Sequence, residues 1–335
     1  MSTWQSLLRA DPTDWLLDAS EPSVRYLTLV DLRGESPNGK LAKKARRAIG
    51  DRGTVPEILA RQQPEGHWET PARMYTAKYR GTLWQVLVLA ELCADPTDPR
   101  VRRACAWVLE HAQEPDGGGF SMATSKRAAG GVPGQVIPCL TGNMVWALSR
   151  LGFGDDRRVQ RGVAWLERYL RCDDGDTEPP DDPVFNRLEI CWGRHTCFMT
   201  VSKALKAIAD IPAERRSAQL QERVDEAVEF LLAHHLFKHS HDLGKVSKPG
   251  WTRFGFPLMY QTDVLDLLRV LTRLGVKDPR MAEAIELLVS KQDQGGRWKL
   301  ANTFNGKMQV DIERKGQPSH WITVHALRVL KRYCD

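Results

Sequence analysis

Two cysteines and a histidine lie close together in the segment 189–199, EICWGRHTCFM: Cys191, His195 and Cys197. The whole chain has only seven cysteines and nine histidines in 335 residues, so the grouping is notable. Thiolate and imidazole together select Zn²⁺, and Cys-x-x-x-His is an acceptable spacing for two ligands of one ion. The same residues could also form a nucleophile with its base, or belong to the core, where free cysteine is common.

A second group of candidates is basic and lies further along the chain. The segment 234–263 contains four histidines together with Lys245, Lys248 and Arg253, and a later segment adds Arg314. Such residues could bind a diphosphate or carboxylate head group, and the alternative is an ordinary exposed basic loop. His239 and His241 could form a second metal site. Asp263, near Tyr260, opens a helix and is a candidate N-cap or general acid.

Composition excludes several classes of protein. The chain is 42% hydrophobic and 27% charged, which is typical of a globular protein, and no apolar run is long enough for a membrane span. The odd number of cysteines and the absence of a signal-like N-terminus predict a cytoplasmic protein without disulfides. The net charge of +6 is spread among acidic residues, which argues against nucleic-acid binding.

Hydrophobic periodicity predicts an all-α protein built from repeated helical hairpins in one domain, 1–335. Five helices of similar sequence each have a threonine at or near the start, for which an N-cap role is expected; these are Thr82, Thr141, Thr196, Thr262 and Thr323. Turns within a hairpin are short, whereas connections between hairpins are long. All long connections should therefore lie at one face, which is the expected place for function.

A sequence motif ends two of the outer helices. QQPEGHW (Gln62, Gly66, Trp68) and QDQGGRW (Gln292, Gly296, Trp298) both fit Gln-x-x-x-Gly-x-Trp, and Gln113–Phe120 is a degenerate copy. The motif resembles that of the prenyltransferase/squalene-cyclase repeat superfamily, and the resemblance covers roughly residues 22–333. It implies an α/α toroid of about six hairpins, with an inner and an outer ring of helices around an apolar cavity.

The resemblance also implies a site. Protein prenyltransferase β subunits hold a catalytic zinc at the ends of inner helices, and the sequence around their ligand histidine is similar to RHTCFMTVSKAL, which points to His195. Cys139, on the preceding inner helix, lies near the expected place of the thiolate ligand but lacks the accompanying aspartate. Cys191 and Cys197 could complete the set. The Asp-x-Asp-Asp motif of class II terpene cyclases is missing.

The sequence thus predicts a prenyltransferase-like or terpene-cyclase-like protein with a zinc ion and a hydrophobic, isoprenoid substrate inside the toroid. The predicted catalytic residues are Asp263 and Tyr260, and Trp84 and Trp146 are candidates for the cavity wall beside the basic residues. The alternative is a non-catalytic toroid with a structural metal that binds a lipid or a protein partner. An (α/α)₆ carbohydrate-active enzyme is disfavoured, because paired catalytic carboxylates are not evident.

Overall fold

The chain folds almost entirely into helices. The computed structural model describes residues 3–335, so Met1 and Ser2 of the expected domain 1–335 lie outside the described residues. The first seven α-helices are α1 (Thr13–Leu17), α2 (Pro22–Leu27), α3 (Lys40–Asp51), α4 (Thr54–Leu59), α5 (Thr82–Glu91), α6 (Pro99–His111) and α7 (Pro138–Leu148). The other eight are α8 (Arg157–Tyr169), α9 (Pro183–Asn186), α10 (Glu189–Trp192), α11 (Phe198–Ala209), α12 (Ala218–Ala233), α13 (Val264–Arg273), α14 (Ala282–Ser290) and α15 (His320–Cys334).

Smaller elements decorate the connections. Two antiparallel hairpins pair β1 (Thr124–Ser125) with β2 (Gly130–Gly131) and β3 (Lys238–His239) with β4 (Asp242–Val246). Single-turn 3₁₀ and π segments occur at Thr3–Leu7, Thr28–Leu32, Pro71–Arg73, Pro133–Gln135, Ser149–Phe153, Ala213–Arg215, Pro249–Thr252 and Pro279–Met281. No helix in residues 3–335 is long and apolar enough to cross a bilayer.

Six helices form an inner ring. Helices α5, α7, α11, α13 and α15 pack in that order, and α15 contacts α2. The Ser23 hydroxyl of α2 donates to the Leu92 carbonyl at the end of α5 (2.6 Å), which joins the first inner helix to the second. Helices α5 and α7 are buried on every side, as expected of elements enclosed between the axis and an outer layer. The predicted all-α toroid is confirmed.

The outer ring is made of the second helix of each hairpin. Helices α3, α6, α8, α12 and α14 pack against α2, α5, α7, α11 and α13 respectively. The N-terminal segment 3–17 takes the sixth outer position, because its first turn packs on α15. The long connections run from outer to inner helices, at 60–81, 112–137, 170–197, 234–263 and 291–319, and therefore meet at one end of the ring. We call this end the long-loop face.

The Gln-x-x-x-Gly-x-Trp motif clasps one outer element to the next. The Gln62 amide donates to the carbonyls of Gly66 and Arg100, and Arg100 begins the following outer helix. In the last copy, the Gln292 amide donates to the Leu7 carbonyl and its oxygen accepts from the Arg9 N–H. The N-terminal segment thus occupies the place of the next outer helix, and this contact closes the ring.

The glycine and the tryptophan of the motif have separate roles. Gly296 has φ of +68°, and a Cβ there would lie 2.0 Å from the Ala10 carbonyl oxygen, so only glycine allows this contact. Trp298 is fully buried, and its indole N–H donates to the Leu288 carbonyl at 2.7 Å. Trp68 donates to Ile58 in the same way. The aromatic ring therefore packs between the outer helix and the inner helix that follows.

The repeated threonines explain how the inner helices join this clasp. The hydroxyls of Thr82, Thr141 and Thr323 accept from the backbone N–H of Trp68, Phe120 and Trp298 at 2.9–3.0 Å. The expected N-cap role of these threonines was wrong, since none of the three hydroxyls caps its own helix. The hydroxyl is used instead to pair the backbone of the motif aromatic, a group that would otherwise be buried without a partner.

Replacement of the closing clasp should destabilise the protein. We expect Gln292→Ala to lower the free energy of unfolding by roughly 1–2 kcal/mol, because two backbone groups of the N-terminal segment lose their partner. Trp298→Ala should cost about 3–5 kcal/mol through the cavity it leaves. Chemical denaturation measures both, with Gln294→Ala, an exposed glutamine two residues away, as the matched control. Equal stability of Gln292→Ala and Gln294→Ala would contradict the clasp.

Candidate functional site

Three of the predicted zinc ligands come together on the long-loop face. Cys139 lies in the first turn of α7, Cys191 in α10, and Cys197 directly before α11, where its N–H donates to the Cys191 carbonyl at 3.2 Å. Burial and the neighbouring thiols of Cys191 and Cys197 raise the pKa of Cys139 to about 12. Burial and Cys197 raise the pKa of Cys191 to about 11. The Cys139 and Cys191 thiols therefore keep their protons at neutral pH unless a cation joins them.

The fourth predicted ligand, His195, lies apart from these thiols. Its side chain is 67% exposed and its Nδ1 lies 3.7 Å from Asp174 Oδ1. No three His, Cys, Asp or Glu side chains within residues 3–335 are arranged to hold a metal ion. In these positions the four residues do not form one ligand set, so no chemical step is assigned to zinc. Zinc binding stays a prediction.

His195 belongs instead to a histidine cluster around Asp174. His234 Nε2 lies 3.4 Å from Asp174 Oδ1, and His241 Nε2 lies 3.7 Å from Oδ2 and 3.1 Å from the Asp174 carbonyl oxygen. His234 is largely buried, and its Nδ1 donates to the Phe230 carbonyl at 2.7 Å, because a carbonyl can only accept. A proton on Nε2 would then face the Asp174 carboxylate, an arrangement suited to proton transfer.

The histidine cluster borders a pocket of about 530 Å³ on the long-loop face. One wall is aromatic: the Phe198 ring lies 5.6 Å from Phe230, and Trp251 packs behind Phe198 at 4.3 Å. The opposite wall is the β3–β4 hairpin with His239, His241 and Lys245. The pocket therefore offers an apolar surface beside a polar rim, and its volume is in the ordinary range for small-molecule sites. We call it the loop-face pocket.

The other predicted head-group residues are dispersed. Lys245 reaches the pocket rim, exposed and paired with Asp242 at 2.7 Å. Lys248 lies over the Trp251 ring, behind the aromatic wall, with its ammonium 5.9 Å from the ring centre. Arg253 and Arg314 are exposed. Neither lines the loop-face pocket or the neighbouring pocket that Asp174 also borders. Of the four, only Lys245 is at the pocket.

The predicted catalytic residues lie near a separate aromatic group on the same face. The Lys78 ammonium lies 4.7 Å from the Tyr260 ring centre and 5.0 Å from that of Tyr75. Trp84 is buried beside Tyr75, to whose carbonyl its indole donates. Burial, with Cys139 and Tyr260 as further causes, raises the pKa of Tyr75 well above its ordinary value. Tyr260 itself is half-buried, and its catalytic role stays a prediction.

Asp263 is the N-cap of α13. One oxygen accepts from the Asp266 N–H at 2.9 Å and the other from the Gly255 N–H at 2.8 Å. Full burial and the nearby Asp266 carboxylate raise the pKa of Asp263 to about 7. The capping role is observed in the structure, and the general-acid role stays a prediction.

The axis of the ring is filled with charged side chains. Lys203 and Lys206 of α11 project inward, where Lys203 pairs with Asp266 at 2.6 Å and Lys206 with Glu91. Burial disfavours the charged forms, but the cations Arg269 and Lys206 more than offset it and hold the pKa of Glu91 well below its usual range. Trp146 lies here too, 3.9 Å below the Lys206 ammonium. Trp84 and Trp146 are thus near opposite ends of the inner helices and do not share a site.

Comparison with known families agrees with the observed ring. The family model of the squalene-hopene cyclase C-terminal domain matches residues 36–182, which is less than half of the chain. The observed ring is an α/α toroid, and part of the chain is similar in sequence to this toroid family. The resemblance that the Gln-x-x-x-Gly-x-Trp motif indicated is confirmed at this level, and the fold is cyclase-like.

Solved structures similar to the chain are distant. The unsaturated glucuronyl hydrolase from Bacillus sp. GL1 is 14% identical, with a TM-score of 0.45 over 96% of this chain and 86% of that chain. A variant of the type II terpene cyclase MstE from Scytonema is 13% identical, with a TM-score of 0.29 over 84% and 95% of the two chains. A protein from Actinoplanes gives 13% identity and a TM-score of 0.30 over 84% and 97%. No curated protein matches the chain. At this distance the activities of these proteins are not transferred.

Sequence reasoning missed Asp174 and His234 as site residues. Asp174 lies in an acidic, proline-rich segment that is typical of a solvated loop, and His234 was one of several histidines in a basic loop. Nothing local separates them from their neighbours, because loop packing brings them together. The axial charges did leave a signal: Lys203 and Lys206 interrupt an otherwise apolar inner helix. A buried helix carries lysines only where carboxylates meet them.

The raised pKa of Asp263 predicts a pH-dependent stability. Its folded pKa of about 7 exceeds the ordinary value of 3.8, so its favourable contribution is present below about pH 4 and is lost as pH rises through about 7. Asp263→Asn cannot ionise. The variant should lose the Gly255 hydrogen bond at every pH, but its free energy of unfolding should fall less than that of the wild type between pH 4 and pH 8. The gap in unfolding free energy between wild type and variant should therefore narrow from pH 4 to pH 8. A constant or widening gap would be contrary to this account, and Asp14→Asn, whose side chain is 91% exposed, is the matched control.

Metal analysis tests the zinc prediction. We expect about one equivalent of zinc in protein purified without chelator, as the sequence implied. Cys191→Ser should lower this content if the thiols hold the ion, and His195→Ala if the histidine cluster does. Cys334→Ser, at the far end of the chain, is the matched control and should leave the content unchanged. The prediction would be contradicted if the wild-type protein contained no zinc and gained no stability when zinc was added.

Proposed function

We propose that the protein is a cyclase-like enzyme that binds an isoprenoid substrate with an anionic head group in the loop-face pocket. The observation that carries the proposal is the pairing of an aromatic wall with a polar rim of histidines and Lys245 in one pocket of about 530 Å³. An isoprenoid chain needs apolar surface, and a diphosphate or carboxylate needs cations and N–H donors. Phe198 and Phe230 supply the former; Lys245 and His241 supply the latter.

The position of the charges supports this pocket over the ring axis as the substrate site. The cavity found on the ring axis has a volume of only about 60 Å³ and is lined by ionic side chains, whereas a ligand pocket usually needs roughly 300–1,000 Å³. An isoprenoid on the axis would have to displace paired charges from a buried site, which is strongly unfavourable. The loop-face pocket requires no such displacement.

The residues around the pocket are suited to cleavage of an allylic diphosphate. When the carbon–oxygen bond breaks, its electron pair remains on the diphosphate oxygen, and the carbon becomes a cation. Lys245 and the histidines would balance the charge on the diphosphate, and protonated His234, oriented by Phe230 and Asp174, would donate its Nε2 proton to the leaving oxygen. The faces of Phe198 and Phe230 would stabilise the allylic cation until it loses a proton to water or is captured by water, which completes the step.

A binding experiment separates this proposal from the non-catalytic alternative. Farnesyl diphosphate and farnesol are titrated calorimetrically against wild type and the double variant Lys245→Ala/His241→Ala. We expect diphosphate affinity to fall about 10- to 100-fold, because charge-assisted hydrogen bonds of ~1.5–3 kcal/mol each are lost, while farnesol affinity changes little.

Lys315→Ala, an exposed lysine in another long loop, serves as the control and should bind both ligands like wild type. Release of free diphosphate from farnesyl diphosphate by wild type, but not by His234→Gln, would support the enzyme. If wild type binds neither ligand, or the double variant loses both equally, the proposal is wrong. Binding of the diphosphate without turnover would instead favour a lipid-binding toroid.

A further inference from the structure

A second cavity lies on the ring axis, at the end of the inner helices opposite to the long-loop face. Its volume is about 60 Å³, enough for roughly four or five water-sized groups. All six inner helices or the residues that follow them contribute to its lining. The contributing residues include Leu27, Glu91, Trp146, Lys206, Arg269 and Arg328. We call it the axial cavity.

Cations outnumber carboxylates around the axial cavity. Three carboxylates line it, those of Glu91, Asp210 and Asp266. Six cations line it: Arg150, Lys206, Arg269, Arg273, Arg328 and Arg332. Since buried charge without a counter-charge is costly, this imbalance favours a further source of negative charge near the cations that water does not reach.

The carboxylates are already shared between cations. Glu91 meets Lys206 and, at 3.0 Å, Arg269. Asp210 lies 2.5 Å from Arg273 and 4.0 Å from Arg150.

Asp31, just outside the cavity, pairs with Arg328 at 2.7 Å. Arg332 makes no ion pair with any residue in the described range 3–335. Burial, with Arg332 and Arg269 nearby, lowers the pKa of Arg328 to about 10, as expected where guanidinium groups crowd together.

An unpaired donor also faces this cavity. His325 lines it and is only 2% exposed. Its Nδ1 must accept from Arg328 at 3.2 Å, because a guanidinium can only donate. Nε2 therefore carries the hydrogen, and it has no hydrogen-bond partner among the described residues. Burial and the surrounding Arg269 and Arg328 lower the pKa of His325, which keeps the ring neutral and Nε2 a donor.

The ends of the inner helices offset part of the positive charge of these side chains. Inner helices finish here, and their C-terminal carbonyls carry partial negative charge that favours nearby cations. Arg269 and Arg328, however, direct N–H groups to Glu91 and His325. The helix ends also leave the His325 N–H without an acceptor. An acceptor inside the cavity would satisfy this donor and the excess cations together.

We infer that the axial cavity is a binding site for a small oxyanion, of the phosphate or carboxylate class. Arg332, Arg328 and Arg269 would supply positive charge, and the His325 Nε2–H would supply a neutral hydrogen bond at the floor. The exposed parts of Arg150 and Arg273, which are more than a third exposed, mark the side from which the ion enters. Asp266 Oδ1 has no hydrogen bond and favours a protonated oxygen on the ligand, such as a hydrogen phosphate.

Thermal unfolding with and without anions tests this site, and Arg332→Gln is the decisive variant. Because Arg332 makes no direct ion pair and interacts with Asp31 and Asp210 only at longer range, its loss should leave the protein about as stable in sodium chloride. Sodium phosphate at equal ionic strength should stabilise wild type more than Arg332→Gln. Phosphate stabilises proteins in general, but this effect is the same in both proteins, so it does not contribute to the difference between wild type and Arg332→Gln. Arg187→Gln, an exposed arginine on the long-loop face, should respond like wild type.

Calorimetry with inorganic phosphate, sulfate and acetate then distinguishes the source of the oxyanion. We expect at least a tenfold weaker affinity in Arg332→Gln for whichever ion binds wild type. A crystal soaked in selenate should show anomalous density between Arg328 and Arg332. Equal phosphate responses of wild type and Arg332→Gln, or a cavity that holds water alone in the soaked crystal, would overturn the inference.

Discussion

The ring depends on one repeated interaction, the reach of a glutamine amide from the end of one outer element to the backbone of the next. Gln62 and Gln113 make this contact between consecutive outer helices, and Gln292 makes it with Leu7 and Arg9 at the N-terminus. A linear stack of hairpins would leave its two end hairpins with one uncovered side each. The last contact removes these ends, because the N-terminal segment covers the last hairpin.

Ring closure also brings the inner helices close enough for their charged residues to meet on the axis. The cations Lys203, Lys206 and Arg269 are tolerated there because Asp266 and Glu91 face them from other helices. Such pairs contribute little net stability once desolvation is counted, yet removal of one partner is costly. The axis is consequently filled by buried ion pairs between the inner helices. It separates the loop-face pocket from the axial cavity, and each of these two sites has its own chemistry.

The sequence was sufficient for the fold because the signals were local and repeated. Helical periodicity and the copies of the motif at Trp68 and Trp298 depend on neighbouring residues, and each copy reinforces the others. The role of the threonines was predicted wrongly, since Thr82 and Thr323 bond to a motif residue that precedes them by many positions. Local capping rules cannot reveal such a partner.

The site was predictable only in part, for a related reason. His195 and Lys245, which were predicted as site residues, both line the loop-face pocket, but Asp174, which lies beside the histidines, is in a loop without a local signature. Cys139, Cys191 and Cys197 do approach one another, although His195 turns away from them. Residue type and spacing predicted that these residues lie on the long-loop face, where the structure places them. The grouping of side chains on that face depends on how long loops pack, which spacing does not encode.

The proposed isoprenoid ligand binds in the loop-face pocket and not on the axis of the ring. A crystal structure of the protein with a non-hydrolysable farnesyl diphosphate analogue tests this directly. We expect density for the chain against Phe198 and Phe230, and for the head group beside His241 and Lys245, with the ion pairs of Lys203 and Lys206 unchanged. Density along the axis with those ion pairs broken, or none in either place at saturating ligand, would contradict it.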